Sequence, residues 1–164
     1  QQVKVLKQSP SLLIANDAIE MFLLIQDNSA EDSLRVALQA YAKADLQLYQ
    51  NKKEEALQLF LAILQKHKGE SIEEGTLFKV GKIYEEKGDF NKALTYYQNI
   101  LDNHKDGIYK DEALYFSAEI YRKHLLDNEK AKVLYEKVVL EHPDSLYYTE
   151  SRKQYRTLRG DSTI

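Results

Sequence analysis

The 164 residues predict an all-α chain, an α-solenoid of antiparallel helix hairpins with about eight helices. Three observations predict it. Glycine occurs only 6 times and proline only twice, so little interrupts regular structure. Leu and Ala number 36 against 22 for Val, Ile and Thr, a balance that favours helix over strand. A helical pattern also recurs at nearly equal steps, from Ala56 to Ala93 to Ala131, and a fixed period is the mark of a repeat architecture.

The segments EEALQLFLAILQKHK (54–68), NKALTYYQNILDNHK (91–105) and EKAKVLYEKVVLEHP (129–143) carry the repeat. Each has a small residue, an aromatic four positions later and an aliphatic three after that. The trios are Ala56, Phe60, Ile63; Ala93, Tyr97, Ile100; and Ala131, Tyr135, Val138. Spacing of 0, 4 and 7 puts each trio on one helical face. An earlier helix precedes each. In 77–90 and 114–128 it carries Gly81 or Ala118 with a tyrosine three residues on, whereas 40–53 keeps Ala44 but has Gln47 in the tyrosine position. An aromatic recurs at Tyr41, Phe78 and Tyr115. Polar turns at Gln50–Lys53, Lys87–Asp89 and Asp127–Asn128 join the two helices, so each unit is helix A, short turn, helix B.

The elements then follow in order along one solenoid domain, 11–158. Residues 1–10 are a linker. Segment 11–27 is a lone helix B, because Ala18, Phe22 and Ile25 repeat the 0, 4, 7 spacing and Ala18 precedes Ala56 by one repeat length. Repeat one spans 30–67 and opens on Glu31 and Asp32, favourable charges at a helix N-terminus. Repeat two spans 72–104 and repeat three 109–142. Segment 147–158 is a helix A without its B, and Arg152, Lys153, Arg156 and Arg159 make it the polar cap a solenoid end needs. Gly160 stops it, and 159–164 form a tail. Three full hairpins and a half unit at each end, beginning at Gln1, point to a fragment of a longer chain with further repeats upstream.

Composition and motifs argue against other classes of function. The net charge of −3, with both signs interspersed, lacks the basic excess that nucleic-acid backbones require. The most apolar stretch, Leu12 to Ile25, holds Asn16, Asp17 and Glu20 and is too short and polar to span a bilayer. Without cysteine there is no thiol nucleophile and no disulfide. His67, His104 and His142 share one repeat position, so they fall on successive hairpin ends instead of converging on a metal, and His124 stands alone. Glu54–Glu55, Glu73–Glu74 and Glu85–Glu86 are adjacent pairs whose side chains diverge; solvated or helix-dipole roles explain them. With no glycine-rich phosphate loop, no catalytic, cofactor or metal residues are assigned. Arg159–Gly160–Asp161 matches a cell-adhesion tripeptide by chance.

The hairpin pattern resembles the tetratricopeptide repeat. Leu77, Gly81, Tyr84, Gly88, Ala93 and Tyr97 of repeat two stand in that family's register, as do Leu114, Ala118, Tyr121, Ala131, Tyr135 and Pro143 of repeat three. The departures are a missing tryptophan, Lys68 and Lys105 at the proline position, and one extra residue in the turn of repeat three. The resemblance implies a right-handed superhelix. The connector HPDSLYYTES is similar in style to those of bacterial envelope members, such as the outer-membrane assembly lipoprotein and the Tol–Pal partner. That likeness points to the bacterial cell envelope, with the cytoplasm as the other compartment open to such a chain.

The resemblance further implies a non-enzymatic scaffold that holds a peptide or helix of another protein on a concave wall made by helix A. The register places Tyr41, Asp45 and Leu48 on that wall in repeat one, Phe78, Lys82 and Glu85 in repeat two, and Tyr115, Glu119 and Arg122 in repeat three. An aromatic row flanked by mixed charges suits an apolar or amphipathic segment. The plainer reading is that the three rings pack against adjacent hairpins. Tyr84, Tyr97, Tyr121 and Tyr135 are core on either reading. The lysine–asparagine clamp with which chaperone-binding members hold a C-terminal carboxylate is missing from these positions. The alternative function is a structural segment of a longer solenoid with no ligand of its own.

Overall fold

The computed structural model describes residues 12–27, 32–104 and 106–161. Among them are eight helices: α1 (Leu12–Asp27), α2 (Asp32–Tyr49), α3 (Lys53–Lys66), α4 (Ile72–Glu86), α5 (Phe90–Asn103), α6 (Lys110–Lys123), α7 (Asn128–Glu141) and α8 (Tyr148–Arg159). No strand occurs among the described residues. The expected linker 1–10, Glu31, Lys105 and tail residues 162–164 lie outside them, as do the side chains of Ala18 and Asp32. The chain divides into two compact units that part inside α4, between Ile83 and Tyr84.

In the first unit α3 packs along α2. Ala37, Tyr41 and Ala44 of α2 and Ala56, Phe60 and Ile63 of α3 are all buried. Alanine at these positions lets two helices approach to the ~8–10 Å that close packing requires. The Tyr41 and Phe60 rings meet edge to face at 5.3 Å. Each buried ring contributes about 1.5–3 kcal/mol through the apolar surface it removes from water. Helix α1 differs from the other B helices. Ile25, which should occupy the aliphatic position, is 40% exposed, together with Ile19 and Met21. No helix among the described residues covers them as α2 covers Phe60.

In the second unit α5, α6, α7 and α8 pack each on the next. Ala93, Tyr97 and Ile100 of α5 and Ala131, Tyr135 and Val138 of α7 are fully buried, as the 0, 4, 7 spacing demands. Ala118 of α6 meets Ala131 and Tyr135, with Tyr155 and Leu158 of α8 closing over them. The basic helix α8 therefore spends its apolar residues on α7 and leaves Arg152, Lys153, Arg156 and Arg159 outside.

The three turns inside the hairpins share one device. Asn51, Gly88 and Leu126 each adopt a positive φ, at 60°, 77° and 53°. Glycine and asparagine tolerate that left-handed conformation, whereas leucine adopts it at a steric cost. Leu126 sits where the turn of repeat three has its extra residue. The helix-B ends are equally regular. His67, His104 and His142 are C-caps whose backbone N–H groups donate to Ile63, Ile100 and Val138 carbonyls. Their own carbonyls accept from residues three further on, Glu70, Gly107 and Ser145. An imidazole at a helix C-terminus also sits favourably in the macrodipole.

Candidate functional site

The wall positions are best followed from helix A outward. In repeat one, Tyr41 is only 3% exposed and lies against Phe60. Phe60 belongs to the same hairpin, so Tyr41 is a core residue of repeat one itself. Asp45 is half-buried and forms a 2.9 Å ion pair with Lys79 of α4, tying two A helices of the first unit together. Leu48 is half-buried, as are Phe78 and Lys82 on α4.

The second unit brings its wall residues into one polar and aromatic cluster. Tyr115 is half-buried and stacks on Tyr147 with ring centroids 4.3 Å apart, and Phe116 meets both rings edge to face. Burial, followed by the Glu119 and Glu150 carboxylates, pushes the Tyr115 phenol up to about 12. Beside it Glu119, only 7% exposed, accepts from Arg122 at 2.9 Å and from Lys123 and the Tyr135 hydroxyl. Burial disfavours the Glu119 charge, but these three hydrogen bonds outweigh burial and hold its carboxyl below the usual glutamate range. Arg122 also donates to the Tyr135 oxygen at 3.1 Å. The buried Glu119 carboxylate orients Arg122, and a pre-oriented guanidinium beside two stacked rings can grip an aromatic or aliphatic side chain and hydrogen-bond a carbonyl next to it.

A relation between helices A and B escaped the sequence reading. Tyr97, fully buried, donates to Glu85 at 2.8 Å, so a wall residue also satisfies a core phenol. In repeat three the Tyr135 hydroxyl donates instead to Glu119, one turn earlier on its helix A, and accepts from Arg122 at the Glu85 position. Repeat one carries Phe60 at the tyrosine position, and its helix A offers Leu48 where repeats two and three have Glu85 and Arg122. The signal was present in the sequence as a carboxylate on helix A in each repeat whose helix B carries tyrosine, Glu85 with Tyr97 and Glu119 with Tyr135.

A second recurrent cluster fastens the turn. Asp89 caps α5 by accepting from the Lys92 backbone N–H, and its side chain holds the Lys92 ammonium at 2.8 Å under the Tyr84 ring. Asp127, Lys130 and Tyr121 repeat this on α7. The lysine hydrogen bond lowers both aspartate pKa values. Repeat one has Lys52, Glu55 and Gln47 at these positions, and Lys52 makes no side-chain cap bond. His124 stacks on Phe90 at 4.0 Å, a packing role. Among the described residues no three of His, Cys, Asp or Glu converge as metal ligands, and no helix is long and apolar enough to cross a membrane.

Comparison with known families matches these hairpins directly. A family model described as tetratricopeptide repeat matches residues 76–107 and 112–145. Repeats two and three are tetratricopeptide repeats. The matched stretches carry both the Asp–Lys–Tyr fastening and the tyrosine–wall hydrogen bonds, the two features that repeat one lacks. Among solved structures, this repeat protein is similar to a tetratricopeptide repeat protein from Parabacteroides merdae ATCC 43184, with a TM-score of 0.62 and 19% identity. The match covers 97% of this chain and 58% of the other, so this chain spans little more than half the length of that protein. At that identity the likeness speaks for the fold. A comparison with curated proteins found no match.

Proposed function

We propose that this repeat protein is a non-enzymatic scaffold that binds a peptide or helical segment of a partner protein. The face that carries out the binding is helix A of repeat three, with Tyr115, Glu119 and Arg122 joined by Tyr147. One observation supports this above others. The Tyr115 ring is half-buried and fixed by stacking on Tyr147, directly beside a carboxylate and guanidinium that are already paired. Rigid aromatic anchors next to oriented charges give binding energy with little loss of side-chain entropy. Glu85, in the same unit, would extend recognition in repeat two, whereas the buried Tyr41 would not.

Site-specific photo-crosslinking in the native host tests this. Benzoylphenylalanine at Tyr115 is expected to trap a discrete partner, whereas the same residue at exposed Leu126 should not. Tyr147→Ala should weaken capture of that partner by about tenfold with helical circular dichroism unchanged. Equal trapping from both positions, or none from Tyr115, would overturn the proposal.

A second reading has its own supporting observation. Met21 and Ile25, four residues apart, leave α1 with an apolar face about two-fifths exposed. That face suits a segment inside a longer solenoid, where a preceding helix A would cover it.

A further inference from the structure

The B helices of the second unit hold a site that the wall does not include. Between α5 and α7, with α6 beneath, runs a groove of about 800 Å³. Leu94 and Leu101, two turns apart on α5, face Val133 and Leu134 of α7 across it. Val133 is 48% exposed, so part of this apolar surface stands in water. Neither Tyr115, Glu119 nor Arg122 lines it.

The polar rim indicates what would fill the groove. Asp102 lies in the last turn of α5, which has no basic side chain, so its charge adds to the negative end of the helix dipole. Among the described residues Asp102 takes only the Gln98 amide, at 2.8 Å. Glu129 stands on the opposite rim in the first turn of α7, and its contact with Lys132 leaves it 82% exposed to a second cation. The one cation lining the groove, Lys130, is already held by Asp127 and by the Tyr121 ring. The rim therefore favours positive charge. The α5 amides also spend donors within their own helix, Gln98 on Asp102 and Asn103 on Asn99. An extended strand would need such donors for its backbone, whereas a helix satisfies its own.

We propose that this groove seats one amphipathic helix of a partner protein, its apolar stripe on Leu94, Leu101, Val133 and Leu134 and its flanks carrying lysine or arginine toward Asp102 and Glu129. Two parallel ridges with a gap between them are the geometry into which a further helix packs. A second copy of this chain fits poorly. Its exposed apolar helix α1 carries Glu20 and Asp27, and its basic helix α8 has already spent Tyr155 and Leu158 on α7. The site is independent of the helix-A face, and the two can be tested apart.

The probe is a synthetic helical peptide with leucines at heptad spacing flanked by lysines, titrated into ¹⁵N-labelled protein. A matched peptide has glutamate for every lysine. The lysine peptide is expected to shift amides of α5 and α7 around Leu94–Leu101 and Val133, and to bind about tenfold more tightly than the glutamate peptide. Val133→Asp should weaken it by about tenfold or more, while Leu140→Asp, exposed on α7 outside the groove, should leave it unchanged. Asp102→Lys, an exposed change that spares the core, should invert the preference between the two peptides. Shifts centred on Tyr115 and Tyr147, equal affinity for both peptides, or an unaltered preference in Asp102→Lys would overturn the proposal.

Discussion

A buried phenol needs an acceptor, and that requirement decides which ring each repeat can carry in helix B. Tyr97 has Glu85 and Tyr135 has Glu119, with Arg122 donating to its oxygen, whereas Phe60 has no hydroxyl to satisfy and packs on the Tyr41 ring, in a repeat that carries Leu48 at the Glu85 position. The consequence can be measured. Phe60→Tyr should destabilise the protein by about 1–3 kcal/mol, because Leu48 offers its hydroxyl no acceptor and Asp45, at the repeat position of Glu119, is already paired with Lys79. Adding Leu48→Glu should recover most of that loss, with a coupling of about 1–2 kcal/mol in a urea-denaturation double-mutant cycle. Additive effects in that cycle would refute the pairing. The two members of each pair stand on different helices with a turn between them, and a search for same-face spacings within one helix does not compare such positions. The core role of Tyr97 and Tyr135 was therefore legible from the repeat, but their hydrogen bonds were not.

At the scale of the helix, the unequal ends of the B helices matter most. Helices α5 and α7 start on a capping aspartate, but α3 starts on Lys52 with no side-chain bond to its first turn. A carboxylate there would accept a backbone N–H and complement the positive end of the dipole. Lys52→Asp should therefore raise the thermal midpoint by about 2 °C, read by circular dichroism in the far ultraviolet. An unchanged or lower midpoint would show that the α3 end is satisfied in another way. Most helix positions were legible from the 0, 4, 7 spacing and the polar turns. The cap was not, because Asp89 and Asp127 look like ordinary turn residues until their lysines and tyrosines are seen around them.

Across the whole chain, repeats contribute stability mainly through their own hairpins and nearest neighbours. Repeat one lacks both the Asp–Lys–Tyr fastening and the phenol–wall hydrogen bond. Its backbone amides in α2 and α3 should accordingly exchange with solvent about tenfold faster than those of α6 and α7, as native-state hydrogen exchange followed by NMR would show. Slower exchange in α2 and α3 would mean that ring packing of Tyr41 on Phe60 outweighs the missing polar ties. The family match falls on the two repeats that carry these ties, at residues 76–107 and 112–145.

The amino-acid order alone determined the helical hairpins, their regular period and the buried trios, because helical spacing and turn chemistry are local. It also separated the histidines onto successive hairpin ends, which the structure shows as C-caps. Only tertiary structure decided the fate of the helix-A face. Tyr41 and Tyr115 occupy one repeat position, yet the first is sealed in its hairpin and the second is held half-open on Tyr147. Exposure depends on what the neighbouring hairpin places against a ring, and Tyr147 reaches Tyr115 from the connector beyond α7, a whole hairpin further along the chain. The groove between α5 and α7 is likewise a property of three helices together, visible in no one helix's pattern.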